Sequence, residues 1–165
     1  MNVYAAVLAE MTLRLETAMT NGGRLEKHQI TALFIQVGDT AEANTEITLP
    51  RIVIRDVVIN GEAAYSALRD EDKLSFVIEA LTPAIHGPNT LYDAETGLGA
   101  MQLYADIVDT LERRTSDALD VSLNGTVQGR FSHDGIFDTQ PGNFVRLQIP
   151  FSATLQKFTV GSRAY

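Results

Sequence analysis

The chain has 165 residues, 45% of them apolar and 21% charged, which is the composition of an ordinary globular protein. It contains no cysteine, so disulfides, thiolate nucleophiles and cysteine-ligated zinc are excluded. The net charge of −8 argues against a surface that wraps nucleic-acid phosphates. No apolar run reaches the roughly 20 residues of a membrane span, and the N-terminal segment lacks a signal-peptide pattern. We therefore expect one cytosolic domain that spans residues 1–165.

The first segment, residues 2–20, has the spacing of an amphipathic helix. Its apolar side chains recur every three or four residues, at Tyr4, Leu8, Met11, Leu15 and Met19. Glu10 and Arg14 are four residues apart and are predicted to pair on the solvent-facing side. The glycines at 22 and 23 tolerate a left-handed backbone and are predicted to end the helix.

Three strand segments follow. Residues 29–37 are rich in β-branched and aromatic side chains and apolar on both faces, which predicts a central strand. Residues 47–59 form the second strand region, in which Pro50 predicts an edge or a bend because it cannot donate a hydrogen bond. The apolar residues at 74, 76, 78 and 80 alternate with polar ones and predict a third strand. Residues 62–72 fit a helical turn or an acidic loop, and residues 38–46 and 82–97 are predicted connections.

Residues 98–114 are predicted to form a second helix. Its apolar face consists of Ala100, Leu103, Tyr104, Ile107 and Leu111, and Thr96 is a candidate cap. Asp109 is predicted to pair with Arg113, four residues later. Residues 119–123 and 126–131 flank Asn-Gly and predict a hairpin, followed by a loop over residues 132–143.

The last segment, residues 145–155, alternates between apolar and polar side chains. The apolar set is Val145, Leu147, Ile149, Phe151, Ala153 and Leu155. This period of two predicts a half-buried strand on the order of 35 Å long, with a bend or an edge at Pro150. Together the segments predict an α+β fold, in which an antiparallel sheet with a long C-terminal strand carries two amphipathic helices on one face.

The sequence contains no recognisable catalytic motif. It lacks a P-loop, a dinucleotide-binding fingerprint and a nucleophile elbow. His28, His86 and His133 are far apart in sequence, which favours solvated loop histidines over a metal site. We therefore predict no catalytic residue, no cofactor and no metal, and favour assembly or binding over catalysis.

Five segments carry a resemblance to a known family: VYAAVLAEMTLRL, QITALFIQV, ITLPRIVIRDVVI, LGAMQLYADIVDTLERR and GNFVRLQIPFSATLQKF. Their arrangement resembles that of the tail terminator and neck (head–tail completion) proteins of tailed bacteriophages. The resemblance implies a structural virion protein whose α+β protomers close into a homohexameric ring. Such a ring caps the tail tube and joins it to the head, so its partners are the tail tube protein and the head connector protein. DNA passes through the lumen without specific binding, and no membrane, cofactor or catalysis is involved.

Under this resemblance, Arg51, Arg55 and Arg146 are candidates for ion pairs between subunits. The polar residues Gln148, Ser152 and Thr154 of the last strand complete the candidate interface. The loops at 38–46 and 132–143 are expected to face the lumen or the axial neighbours. Two alternatives stay open. One is a small-ligand-binding protein or enzyme, with a pocket between the helices and the sheet that residues 82–97 roof. The other is a different tail subunit, from the tube or the baseplate.

Overall fold

A computed structural model describes residues 3–20, 22–36, 50–63, 69–83, 91–112, 128–140 and 144–158. The helices are α1 (Val3–Met19) and α2 (Ala100–Glu112), and a 3-10 turn (Glu26–His28) follows α1. The strands are β1 (Ala32–Ile35), β2 (Arg51–Ala63), β3 (Arg69–Pro83), β4 (Gln128–His133), β5 (Ile136–Gln140) and β6 (Phe144–Phe158). The predicted α+β class is confirmed.

The strands form one mixed sheet in the order β1-β2-β3-β6-β4, and β5 also pairs with β6. All neighbours are antiparallel except β1, which runs parallel to β2. The predicted antiparallel sheet is therefore correct for every strand but the first. The predicted central position of residues 29–37 is wrong, because β1 lies at the end of the strand order, where Ile35 is 42% exposed.

The C-terminal strand is paired on both sides. β6 pairs with β3 along its whole length, and with β4 and β5 on its other side. The predicted alternation is confirmed from Val145 to Phe151, where every second side chain is at most 2% exposed. Pro150 lies opposite the break between β4 and β5, and its carbonyl accepts a hydrogen bond from the Asp134 N–H. Because a strand residue directs its N and O to the same side, the missing N–H of Pro150 faces this break.

One face of the sheet contributes to the hydrophobic core together with both helices. The core includes Ile52 and Ile54 of β2, Leu74, Phe76, Ile78 and Ala80 of β3, and Leu147, Ile149 and Phe151 of β6. We call this side of the sheet the core face. The predicted stripes of both helices join the same cluster, through Met11 and Leu15 of α1 and through Leu103, Ile107 and Leu111 of α2. That both helices lie on one face of the sheet stays a prediction.

The two helices are also joined by a polar contact. The predicted pair of Glu10 and Arg14 is present at 2.9 Å, but its predicted solvent-facing position is wrong for Arg14, which is buried. The Arg14 Nη1 donates to the carbonyl of Leu111 at the last turn of α2, at 3.0 Å. Asp109 accepts from Arg24, whereas Arg113 lies outside the described residues.

The start of α2 differs from its prediction for a steric reason. The helix begins at Ala100 because Gly97 and Gly99 both have positive φ angles. A Cβ at Gly99 would lie 2.5 Å from the carbonyl oxygen of Leu91, so only glycine fits there. Thr96 does not cap the helix; its hydroxyl bonds to the Asp93 carboxylate.

Two segments that are not predicted as strands, the helical turn or acidic loop at 62–72 and the loop at 132–143, contain strand. Residues 62–63 end β2, residues 69–72 begin β3, and β5 occupies part of the predicted loop at 132–143. Pairing with a long neighbouring strand outweighs the turn-forming residues there. Residues 38–46, 84–90 and 119–127, which include predicted loops and one predicted hairpin strand, lie outside the described residues. In the described part of the chain, neither helix is long and apolar enough to cross a membrane.

Candidate functional site

The side of the sheet opposite the core face, here called the outer face, brings the predicted interface residues together. In β2, β3 and β6 the residues between the core positions project to this side. Arg51, Arg55, Arg146, Gln148 and Ser152 all occupy such positions. Thr154, also in β6, aligns with Lys73 of β3, and its side chain lies outside the described part.

Four charged side chains on neighbouring strands of the outer face form two ion pairs. The Arg55 Nε donates to Glu79 Oε2 at 3.1 Å, which joins β2 to β3. The Arg146 Nε donates to Asp138 Oδ1 at 2.9 Å, and Nη2 bonds the second oxygen, which joins β6 to β5. We call Arg55, Glu79, Arg146 and Asp138 the charge row. Its signs alternate from one strand to the next.

The two halves of the charge row also act on each other. The hydrogen bond to Asp138 is the main cause of a raised pKa for Arg146, and partial burial offsets some of the rise. The negative charges of Asp138 and Glu79 add to it. Glu79 is therefore close enough to affect the arginines of both neighbouring strands, β2 and β6.

A β-bulge in β2 shapes one end of the charge row. The register between β2 and β3 shifts between Arg55 and Val58, and Asp56 has a φ of 55°. Aspartate tolerates this left-handed conformation better than most residues do. The bulge brings the Asp56 carboxylate to Arg55, so this guanidinium contacts two acidic groups.

The outer face is partly accessible along the charge row and covered beside the middle of the row. The Arg55 and Glu79 side chains are 26% and 16% exposed, and those of Arg146 and Asp138 are 31% and 45% exposed. In the covered part Arg51, Val53 and Leu81 are buried. Val53 is the cross-strand neighbour of Glu79, and Leu81 is that of Arg146. The apolar residues Ile136 and Val58 are about half exposed on the same face. The accessible part is thus a mixed surface of paired charges and isolated apolar side chains.

A second polar cluster lies between the 3-10 turn and α2. The His28 Nε2 is 2.8 Å from Asp106 Oδ2, and Lys27 Nζ is 3.1 Å from the same oxygen. Gln102 donates to the other oxygen of Asp106 at 3.0 Å. Burial is the main cause of a lowered pKa for His28, and the charge of Lys27 lowers it further, whereas Asp106 raises it. The interpretation of His28 as a solvated loop residue is therefore wrong.

A histidine bonded to a carboxylate can act as a general base when a substrate reaches the ring. In this cluster the His28 and Asp106 side chains are only 1% and 4% exposed, so a substrate cannot reach the imidazole in this conformation. Among the described residues no group of three His, Asp or Glu side chains is arranged to hold a metal ion. The geometry therefore favours a structural connection between the turn and α2.

The other histidine within the described ranges is also part of a packed contact. His133 of β4 is half-buried, and its Nδ1 is 2.6 Å from the hydroxyl of Tyr104 on α2. Its ring stacks on Phe151, its neighbour across the sheet. This contact joins α2 to β4, which pairs with residues 151–156 of β6. His86 lies outside the described residues.

The sequence matches no protein-family model, and a search of curated proteins finds no match either.

Proposed function

We propose that the protein is a structural subunit that assembles with copies of itself through the outer face of its sheet. Following the resemblance of its five segments, we place it in a ring at the head–tail junction of a tailed bacteriophage. There it acts as a tail terminator or neck protein between the tail tube protein and the head connector protein. The observation that carries the proposal is that the predicted interface residues share one sheet face, on which Arg55 and Arg146 are already paired with carboxylates of the same chain.

Paired charges make a surface suitable for burial against another subunit. Burying an unpaired charge costs on the order of several kcal/mol, because the charged group loses its hydration. Arg55 and Arg146 keep hydrogen-bonded carboxylate partners when water leaves, so this cost is reduced. Gln148 and Ser152 add neutral hydrogen-bonding groups beside them, as in the polar parts of protein interfaces.

The overall charge is compatible with a ring through which DNA passes. A net charge of −8 repels a phosphate backbone and gives no basic footprint for tight binding. DNA can then move through the lumen without specific contacts. The proposal includes no membrane contact, no cofactor and no catalytic step.

The first test measures assembly of the purified protein. Light scattering and native mass spectrometry over a concentration series should show self-association, and electron microscopy should show closed rings, with six subunits as the expected number. A protein that stays monomeric at its highest soluble concentration contradicts the proposal.

A substitution on the outer face tests whether this surface is the interface. Ser152 lies opposite Ser75 in a row of small side chains, so Ser152→Arg adds a bulky charge to the outer face without removing an ion pair. We expect Ser152→Arg to abolish the rings. Thr17→Arg is the matched control, because Thr17 is exposed on α1, and should leave assembly unchanged. Circular dichroism verifies that both variants fold. Equal assembly of the two variants would place the interface elsewhere.

A further inference from the structure

We propose that the sheet bends along one transverse line at the level of Val77, so that the part beyond this line swings as a unit. We call residues 58–63, 69–76, 128–133 and 151–158 the distal segment, and β1, β5 and residues 51–55, 78–83 and 144–149 the proximal segment. The inference goes beyond the proposed function, because it concerns the shape of one subunit and holds whether or not copies assemble.

Three irregularities of the sheet lie at this level. Val77 of β3 aligns with Arg55 of β2 on one side and with Pro150 of β6 on the other. The bulge of β2 directly follows Arg55, and the break between β4 and β5, at Asp134 and Gly135, lies opposite Pro150. Among the described strands that reach the line, β3 therefore crosses it without an irregularity.

The bulge adds one residue to β2. Ile54 and Ile59 of β2 align with Ile78 and Leu74 of β3, so positions that are four residues apart in β3 are five apart in β2. Side chains of a regular strand alternate between its two faces, so an odd spacing on one face requires an extra residue. Such an extra residue interrupts the ladder and bends the strand.

Asp56 is this extra residue. It is exposed and has a φ of 55°, whereas its neighbour Val57 packs against the core. Val57 therefore takes the place opposite Phe76 that a regular strand would fill. Without Asp56 the alternation of β2 would continue unbroken through the line.

The ladder on the other side of β3 is also weakened at the line. Pro150 has no N–H, and because its N and O face the break, its pair with Val77 is non-hydrogen-bonded. Within each segment, by contrast, the register of β3 with β2 and β6 is continuous. The sheet therefore resists bending less at the line than inside either segment.

Aromatic side chains beside the line join the strands of the distal segment. Phe76 and His133 both stack on Phe151, and the Phe76 and Phe151 ring centroids are 5.1 Å apart. These contacts make β3, β4 and β6 move together. Tyr104 of α2 contacts His133 in the distal segment and Phe137 in the proximal one, so its ring limits the range of the bend.

The line divides the outer face into two parts. The candidate interface residues of the proximal segment are Arg51, Arg55, Arg146 and Gln148, and those of the distal segment are Ser152 and Thr154. A bend changes the angle between these two parts. One subunit can thereby fit its outer face to neighbours of different curvature.

Distances between spin labels, measured by electron–electron resonance, test the bend. The chain contains no cysteine, so Thr17→Cys with Lys73→Cys places labels only on exposed sites of α1 and the distal segment. Thr17→Cys with Ile136→Cys is the control pair, because Ile136 is exposed in the proximal segment. Excess unlabelled wild type is added, so that labels in different subunits do not contribute.

We expect a wider distance distribution for the pair across the line. Lys73 lies on the order of 13 Å from Val77 along β3, so a bend of about 20° moves it by roughly 5 Å. Amide hydrogen exchange distinguishes a bend from local unfolding. A bend preserves the ladders of the distal segment, so their hydrogen-bonded amides should stay protected.

Deletion of Asp56 tests the bulge as the origin of the bend. The deletion joins Val57 to Arg55 and makes β2 regular, so the distribution across the line should narrow towards that of the control pair. Asp56→Asn is the matched control variant, because asparagine also tolerates the left-handed conformation, and should keep the wild-type width. Circular dichroism verifies that both variants fold.

Equal widths for the two label pairs in the wild type overturn the inference, and so does rapid exchange throughout the distal ladders. A folded deletion variant with the wild-type width also overturns it. The outcomes are separate from those of the proposed function. A wild type that bends and forms no rings supports the bend and contradicts the ring, whereas rings of chains with equal widths do the reverse.

Discussion

At the scale of single residues, the two ring nitrogens of His28 have unequal surroundings. Nε2 bonds Asp106, whereas Nδ1 is buried and has no hydrogen-bond partner among the described residues. The network therefore assigns the proton of the neutral ring to Nε2. A second proton would create a buried N–H at Nδ1 without an acceptor there, which costs free energy. The lowered pKa of His28 has the same direction, with burial as its main cause.

The lowered pKa makes stability depend on pH in a defined direction. In the unfolded chain His28 takes up its proton near its ordinary pKa of 6.5, while in the folded chain it does so only at lower pH. The unfolded state therefore binds more protons in this window. The contribution of His28 to the stability of the folded state is complete above pH 6.5. It is lost as the pH falls from there towards the pKa of His28 in the folded chain.

Denaturant unfolding of the wild type and of His28→Gln between about pH 7.5 and about pH 5 measures this dependence. We expect the wild-type unfolding free energy to fall more steeply with acidification than that of His28→Gln. Thr17→Ala, at an exposed position of α1, is the control and should keep the steep wild-type slope. Equal slopes for the wild type and His28→Gln would show that the histidine takes up its proton equally well in both states.

At the scale of elements, periodicity predicts what each segment buries. The stripe from Tyr4 to Met19 and the alternation from Val145 to Phe151 indicate the correct helix and strand types, because burial repeats with the geometry of the element. The sequence is less informative about which strands pair with each other. The parallel pairing of β1 and the presence of β5 depend on neighbours that are distant in sequence, so the local composition of residues 29–37 and 132–143 predicts the wrong position or type.

The candidate sites also divide into what the sequence predicts, namely the side of a strand that a residue occupies, and what it does not, namely the partner of each charge. The alternation of the last segment predicts that Arg146, Gln148 and Ser152 share one side of a strand, and the register confirms that side. The partners of the charges cannot be read in this way. The turn-forming residues around Asp138 predict a loop, and Asp106 is 78 residues from His28, so no spacing rule connects either carboxylate with its partner. Only the topology brings them together.

The contact between α1 and α2 provides a prediction at this scale. Arg14 is buried, bonds Glu10 and donates to the carbonyl of Leu111. Arg14→Met should lower the free energy of unfolding by about 1–3 kcal/mol, because it leaves both acceptors without this donor. Arg14→Lys should recover little, since an ammonium lacks the planar fork that reaches two acceptors.

Arg24 is the matched control for Arg14, because it also joins the region after α1 to α2. Its side chain is 53% exposed and bonds only Asp109 among the contacts described. Arg24→Met should change the unfolding free energy by no more than about 0.5 kcal/mol. Denaturant unfolding of the three variants compares them directly. Equal losses for Arg14→Met and Arg24→Met would show that the buried hydrogen bond to Leu111 contributes nothing.

At the scale of the whole molecule, self-association must overcome the net charge. Two copies carry −8 each and repel each other over long distances, while contacts across the proposed outer-face interface act only at short range. Salt acts differently on these two effects. The Debye length falls from about 30 Å at 0.01 M salt to about 8 Å at 0.15 M, whereas partly buried pairs are screened much less.

Self-association should therefore become stronger, not weaker, as the salt concentration rises over this low range. We expect the dissociation constant for self-association of the wild type, measured by sedimentation, to decrease between about 0.01 M and about 0.15 M salt. Ser152→Arg, which blocks the proposed interface, should stay largely monomeric throughout, because screening removes the repulsion without restoring the contact. A dissociation constant that rises steadily with salt would show that attraction across the interface outweighs the repulsion between acidic chains even at long range.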